Sequence, residues 1–332
     1  MKTRNILSIK NLIFLLFLTL LLISPSMSSS TLLNIEVWGY QLQDIDIEEL
    51  IEKAYDIYVI DYSSDGSNES TWQSTEISSV QETGALLLSY ISIGEAEDYR
   101  YYWQESWTES PPSWLDGENP DWEGNYKVKF WQEEWKNIIF DYLDVIMNQG
   151  FNGVYLDIID AFEYYQENGI INADDLMVDW VGEISDYTKN IAGESFLIFP
   201  QNGEALLANS SYRSIVDGIG IEDLYYFSDS EENDESTIET REGYLDLLVD
   251  DNKTVLTVDY VQDIDNIKDV YTRSRKKGYI PLCTSRDLSS LPDPIYDLEN
   301  LTEGEESSSF PVLLALTTLI LVSSTKKYRI NR

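Results

Sequence analysis

Eight short apolar runs, separated by helical patterns and each stopping at polar or acidic residues, constrain the fold of this 332-residue chain most strongly. They are IEVWGY (35–40), IYVID (57–61), LLLSYIS (86–92), GVYLD (153–157), FLIFP (196–200), GIGIE (218–222), VLTVD (255–259) and YIPLC (279–283). Runs apolar almost throughout belong to parallel strands covered on both faces, whereas a half-exposed strand would alternate. Between them Trp131, Trp135, Ile138, Ile139, Tyr142 and Ile146 recur at helical spacing, as do Trp180, Val181, Ile184, Tyr187 and Ile191. Gly84, Gly150, Gly193 and Gly278 each stand where a helix should give way to the next strand, a place that favours the left-handed C-cap conformation. Residues 33–291 are therefore predicted to fold as an α/β (β/α)8 TIM barrel. A doubly wound open sheet competes, but no Gly-rich phosphate fingerprint follows the first run.

One connection is far longer than the others, from Gly94 to Phe130 after the third strand. It carries Trp103, Trp107, Trp114 and Trp122 among Tyr99, Tyr101, Tyr102 and Tyr126. That aromatic content argues for an ordered insertion, and its position puts it on the C-terminal face, where barrel active sites lie. The rings can serve as a small core of the insertion or as part of a binding surface.

Chemistry is restricted by what the chain lacks. There is no histidine, which excludes a Ser-His-Asp triad, a Cys-His pair and a His-ligated zinc site. The single cysteine, Cys283, excludes an intramolecular disulfide and a thiolate cluster. The formal charge of −38, from 22 basic and 60 acidic residues, argues against nucleic-acid binding. Acid–base work must fall to carboxylates.

Both ends read as targeting segments. Residues 1–30 have a basic start, an apolar run from Leu12 to Ile23 and small residues after it, the layout of a secretory signal peptide. An acidic, Ser-rich linker (292–309), an apolar segment (310–324) and a basic tail (325–332) with Lys326, Lys327 and Arg329 follow the barrel. This pattern is expected to anchor the protein in a membrane or to sort it to the cell surface. Residues 1–30 and 310–332 hold seven basic and no acidic residues, so the rest carries 15 basic against 60 acidic residues, a charge of −45. The sequons at Asn68, Asn209, Asn252 and Asn300 agree with an exported domain.

Strand ends of a barrel converge on one pocket, and five of them carry an acid at or just past the tip: Asp61, Glu95, Asp157, Glu222 and Asp259, with Asp160 just beyond Asp157. Carboxylates crowded this way repel one another unless they serve a ligand or hold shifted pKa values. Asp157 and Glu222 fall on the fourth and sixth strands, about 9.6 Å apart by strand spacing and closer if the side chains lean inward. Two carboxyl groups about 5–9 Å apart are what glycoside hydrolysis requires, the shorter separation belonging to a retaining mechanism.

Several segments resemble glycoside hydrolase family 114, the endo-α-1,4-polygalactosaminidases: VIDYSSDG (59–66), YISIGEAEDYRYYW (90–103), GFNGVYLDIIDAFEYY (150–165), IFPQNGE (198–204) and GYIPLCTSRDLSSL (278–291). The resemblance implies a (β/α)8 fold and hydrolysis of partly deacetylated α-1,4-linked galactosamine polymers, with no cofactor and no metal. It implies Asp157 as nucleophile and Glu222 as acid/base. Tyr40, Asp61, Glu95, Asp160, Gln201, Asn202, Asp259 and Tyr260 would then line the sugar subsites. Two other readings use the same residues: a catalytically silent barrel that binds glycan at the cell envelope, and a carboxylate site for Mg²⁺ or Ca²⁺. The joint presence of Asp157 and Glu222 favours the enzyme over the silent barrel, and no loop shows a recognised calcium spacing.

Overall fold

A computed structural model of the chain describes residues 35–300. The two end segments therefore lie outside the described residues, apart from the first part of the 292–309 linker. Eight parallel strands form the framework: β1 (Trp38–Gln41), β2 (Ile57–Ile60), β3 (Leu86–Ser92), β4 (Gly153–Asp157), β5 (Leu197–Pro200), β6 (Gly218–Glu222), β7 (Thr254–Asp259) and β8 (Ile280–Cys283). β1 to β5 pair in sequence order as one arc, and β6, β7 and β8 pair as a second. A parallel bridge between Gln201 and Gly220 joins the arcs on one side. On the other, Trp38 Nε1 on β1 donates to Ile280 O on β8 at 3.0 Å. Every connection between successive strands contains at least one helix, in the order α1 (Ile47–Lys53), α2 (Ser74–Gln81), α3 (Glu133–Gln149), α4 (Ala161–Glu167) and α5 (Ala173–Ala192), α6 (Ser210–Ile215), α7 (Glu235–Asp250) and α8 (Ile264–Lys277). This is the (β/α)8 TIM barrel that the run pattern predicts.

Burial divides each strand by parity. Trp38, Tyr40, Ile57, Val59, Leu86, Leu88, Tyr90, Tyr155, Phe199, Leu256, Val258 and Leu282 fill the lumen. The intervening residues, among them Tyr58, Ile60, Leu87, Val154, Leu156, Ile198, Ile219 and Val255, pack outward in the large core beneath the helices. Both faces are thus covered, which is why the sequence runs are apolar rather than alternating. The lumen is filled by large rings, and Gly220 makes room for one of them: a Cβ there would stand 1.8 Å from the Tyr155 hydroxyl.

The helical stripes hold with two changes. Trp135, Ile139, Tyr142, Ile146, Trp180, Val181 and Ile184 are buried, but Trp131 precedes α3 and Ile191, near the end of α5, is exposed. Of the four glycines, Gly150 and Gly278 are left-handed C-caps (φ +92° and +82°). Gly193 caps α5 with φ +100° and ψ 163°, which is not left-handed helical, and Gly84 stands beyond the α2 cap, Glu82. The start of the expected linker is part of the folded unit. Tyr55 Oη donates to Pro292 O at 2.9 Å, Tyr296 Oη to Ala54 O at 3.1 Å, and Ile295 packs against the core.

The insertion is ordered as a three-stranded antiparallel sheet, with Asn125–Val128 between Glu95–Glu97 and Leu115–Glu118. Its aromatics divide by role. Trp103, Trp107 and Trp114 pack edge to face in series, and Trp114 continues to Trp135 of α3, forming a small core. Trp122 and Tyr99 are instead exposed and face the cleft. Among the described residues, no helix is long and apolar enough to cross a membrane.

Candidate active site

Lumen parity decides which strand-end acids meet. Asp61, Asp157, Glu222 and Tyr260 continue the inward positions of β2, β4, β6 and β7. They open into a cleft of about 1260 Å³ at the C-terminal face. The wall also contains Tyr40, Tyr90, Glu95, Glu97, Tyr99, Arg100, Trp122, Lys127, Asp160, Gln201, Asn202 and Arg286. Eleven carboxylates line it against three cations. The geometry thus brings together nine of the ten residues expected in the site.

Asp259 is the exception. It has the opposite parity on β7, is fully buried and does not reach the cleft. One carboxylate oxygen accepts the Tyr225 and Tyr226 amides, both at 2.8 Å, and so ties down the turn after β6. Burial pushes its pKa up to about 7, against the lowering effect of these two amides. The sugar-subsite expectation for Asp259 is therefore corrected to a structural one.

Asp157 Oδ2 accepts Tyr90 Oη at 2.6 Å and Oδ1 accepts the Ile158 amide at 2.8 Å. Enclosure in the cleft, then the facing Glu222, push its carboxyl up to about 8, with the hydrogen bond from Tyr90 opposing. Glu222 Oε1 accepts Tyr260 Oη, and Oε2 accepts Asn202 Nδ2 at 3.1 Å. The Asn202 side chain also accepts the Glu222 amide at 3.1 Å, so it fixes both ends of that residue. Three chain turns leave the site through left-handed backbone: Ile158 (φ +58°), Asn202 (φ +58°) and Asp223 (φ +49°), each directly after a residue of the cleft. For the β-branched Ile158 this conformation is strained, and such strain persists only where surrounding structure enforces it. Gly94 permits the turn, since a Cβ there would lie 2.1 Å from Ile158 O.

The remaining expected residues are engaged in different ways. Asp61 is buried and bonded to Arg100 Nη1 at 2.7 Å, with its other oxygen on the Ser63 amide at 3.1 Å. Burial raises its pKa in spite of Arg100. Glu95 accepts Asn119 Nδ2 at 2.9 Å, with Lys127 at 3.9 Å. Burial likewise raises it. Tyr40 Oη donates to Gln201 Oε1 at 3.1 Å. Asp160, at the start of α4, is pushed up to about 6, by desolvation and then by Glu163. Tyr260, Asn202, Tyr40 and Gln201 thus spend hydrogen bonds on the site's own architecture as well as facing the cleft.

Sequence reasoning missed Tyr90, Arg100, Glu97 and Arg286. Period-two counting along LLLSYIS would have found Tyr90, which shares the inward face with Leu86 and Leu88. Nothing local marks Arg100 or Arg286, because their partners Asp61 and Asp223 are 39 and 63 residues away.

Comparison with known proteins agrees with the barrel fold. The model for glycoside-hydrolase family GH114 matches residues 25–300. An uncharacterized protein of Methanocaldococcus jannaschii is 44% identical over 264 residues, 76% of each chain. Another, of Thermotoga maritima, is 39% identical over 315 residues, covering 89% of this chain and 94% of its own. In structure the chain is similar to the glycoside hydrolase domain of PelA from Pseudomonas aeruginosa, with a TM-score of 0.64 at 14% identity over 78% of this chain and 99% of that one. It is also similar to Aspergillus fumigatus Ega3 in complex with galactosamine, with a TM-score of 0.59 at 15% identity over 76% and 92%. A strand-end carboxylate pair in a barrel of this fold, with the family match spanning the whole barrel, leads to one conclusion: the chain belongs to glycoside-hydrolase family GH114 and is a glycosidase.

Proposed function

We propose that the protein hydrolyses α-1,4-linked galactosamine polymers carrying free amines, by a retaining mechanism in which Asp157 is the nucleophile and Glu222 the acid/base. The observation that carries this reading is the pair itself: two carboxylates at the tips of β4 and β6, each held by a tyrosine hydroxyl and a second donor, in one acidic cleft. In the first step Asp157 attacks the anomeric carbon while Glu222 protonates the departing glycosidic oxygen. In the second, Glu222 takes a proton from water, which displaces Asp157 from the sugar. By itself the raised pKa of Asp157 favours its protonated form, the reverse of what attack requires. A substrate ammonium entering this field stabilises the carboxylate, as the hydrogen bonds from Tyr90 and the Ile158 amide do. Binding of a cationic chain and activation of the nucleophile are then one event.

Substrate charge is therefore expected to dominate turnover at low concentration. Full N-acetylation removes the positive charge and should lower kcat/KM by at least about tenfold, the equivalent of one lost ion contact of roughly 1.4 kcal/mol. Because exposed charge attraction is screened beyond about 8 Å at physiological ionic strength, kcat/KM on the amine form should also fall as salt rises. The measurement is kcat/KM on one galactosamine polymer at graded acetylation, each at low and high salt. Equal rates at all degrees of acetylation, without salt dependence, would remove the case for a cationic substrate.

Export to the cell surface belongs to the same proposal and is supported by the tripartite ends of the sequence, not by the described residues. Protease added to intact cells should remove the barrel while leaving an epitope on the basic tail protected, if the C-terminal segment is retained as an anchor. A barrel that survives this treatment would sink the surface assignment.

A further inference from the structure

Arg286, in the turn after β8, joins three pieces of chain around Glu222. Its Nη2 donates to both Asp223 carboxylate oxygens (2.8 and 2.9 Å) and to Phe227 O (3.1 Å), so it grips the segment that directly follows Glu222. Its guanidinium lies 4.2 Å from the centre of the Tyr260 ring, and Tyr260 donates its hydroxyl to Glu222 Oε1. Asp223 itself is pinned at every polar atom. Its amide donates to Val258 O at 2.9 Å, and its carbonyl accepts Asn233 Nδ2 at 2.7 Å and Arg241 Nη1 at 2.8 Å. Such over-determination is what a non-glycine residue at φ +49° requires.

We infer that Arg286 is a positioning residue for the acid/base step, holding the Tyr260 hydroxyl and the Glu222–Asp223 turn in the arrangement that delivers the proton to the leaving group. The inference rests on the reading of Glu222 as acid/base. A stacked cation also polarises the phenol and so makes the Tyr260 hydroxyl a stronger donor to Glu222. Arg286 lines the cleft, yet a guanidinium there repels a cationic sugar chain, which separates positioning from binding. Removal of the side chain should therefore slow proton delivery without weakening substrate binding.

The test compares full-length wild type, Arg286→Met, Arg286→Lys and Glu222→Gln on two probes. One is a defined α-1,4-galactosamine oligomer, and the other is the same oligomer as its dinitrophenyl glycoside, whose leaving group needs no proton. Arg286→Met should lower kcat on the oligomer about tenfold, a part of the roughly 10²–10⁴ that a positioned general acid supplies. KM on the oligomer should stay constant or fall, and kcat/KM on the dinitrophenyl glycoside, which reports formation of the glycosyl-enzyme alone, should stay within about twofold of wild type. Arg286→Lys keeps the charge on Asp223 but loses the planar stack on Tyr260, and should fall between Met and wild type. It also serves should the Met variant fail to fold. Equal loss on both probes would make Arg286 merely structural, and a raised KM at unchanged kcat would make it a substrate ligand; either overturns the inference. If Glu222→Gln itself shows no sparing of kcat/KM on the activated probe relative to the oligomer, the reading of Glu222 falls and this inference falls with it.

Discussion

Asp157→Asn should abolish turnover of a galactosamine polymer, by about 10⁴-fold or more, and yet make the folded protein more stable at neutral pH. The stability gain follows from the sign of the pKa shift. Asp157 is raised to about 8 in the folded chain, against about 3.9 for a free aspartate. Below pH ~4 both states are protonated and the group costs nothing. As pH rises through this window the unfolded chain releases the proton and the folded chain keeps it, so stability falls, and the cost is complete above about 8. An uncharged amide of the same shape removes that cost, on the order of 1–4 kcal/mol at pH 7. Thermal unfolding across pH 4–9 should therefore show the variant's Tm above wild type near pH 8, with the two curves meeting near pH 4. A variant that keeps near wild-type turnover refutes the nucleophile assignment. A variant whose Tm gain does not grow with pH refutes the electrostatic account of Asp157.

The largest expected loss of stability is at Arg100. Its side chain is almost wholly buried, with Nη1 on Asp61 and Nε on Glu97, both at 2.7 Å, and Tyr99 Oη donates to the other Glu97 oxygen at 2.5 Å. Arg100→Met leaves two buried carboxylates facing each other without a counter-charge. Breaking a buried pair in this way costs about 3–5 kcal/mol, because the stranded charges remain. Burial raises Asp61 even with Arg100 present, so a lost counter-charge drives it further towards the protonated form. The Tm deficit of Arg100→Met should therefore shrink between pH 8 and pH 5. Replacing all three polar groups together, as Arg100→Met with Asp61→Asn and Glu97→Gln, should recover much of it, since no charge is then left unpaired. A single variant that melts within about 2 °C of wild type, or one made worse by acid, would contradict this account. The same network carries the insertion to the cleft, because Asp61 follows β2 while Glu97 and Arg100 belong to the insertion. Loss of Arg100 is thus also expected to loosen the wall bearing Tyr99.

Both sites show how far a sequence reaches. The eight apolar runs, the buried parts of the helical stripes and the acids at the strand tips were legible because each depends on local pattern: strand length, helical period and the residue at a strand end. Burial on both faces of a parallel strand writes itself into composition, and so the barrel could be read before any contact was known. The family motifs, too, are contiguous stretches. The expectation for Asp157 and Glu222 rests on that basis, and both side chains line the one cleft.

What the sequence left open was decided by parity and by partners far apart in the chain. VLTVD ends in an acid like its neighbours, but its apolar run hides which residues face the lumen, and only the packed barrel turns Asp259 outward to the Tyr225 and Tyr226 amides. The aromatic insertion could be a core or a surface by composition alone. Tertiary packing made Trp103, Trp107 and Trp114 the core and left Trp122 and Tyr99 at the cleft. The pKa of Asp157 likewise depends on enclosure and on Glu222, 65 residues later in the chain. Period and composition thus determined that this chain forms a barrel with acids at its mouth. Which acids face the cleft, and which cation neutralises which, was set by side-chain direction and long-range contact, quantities that no short stretch of sequence contains.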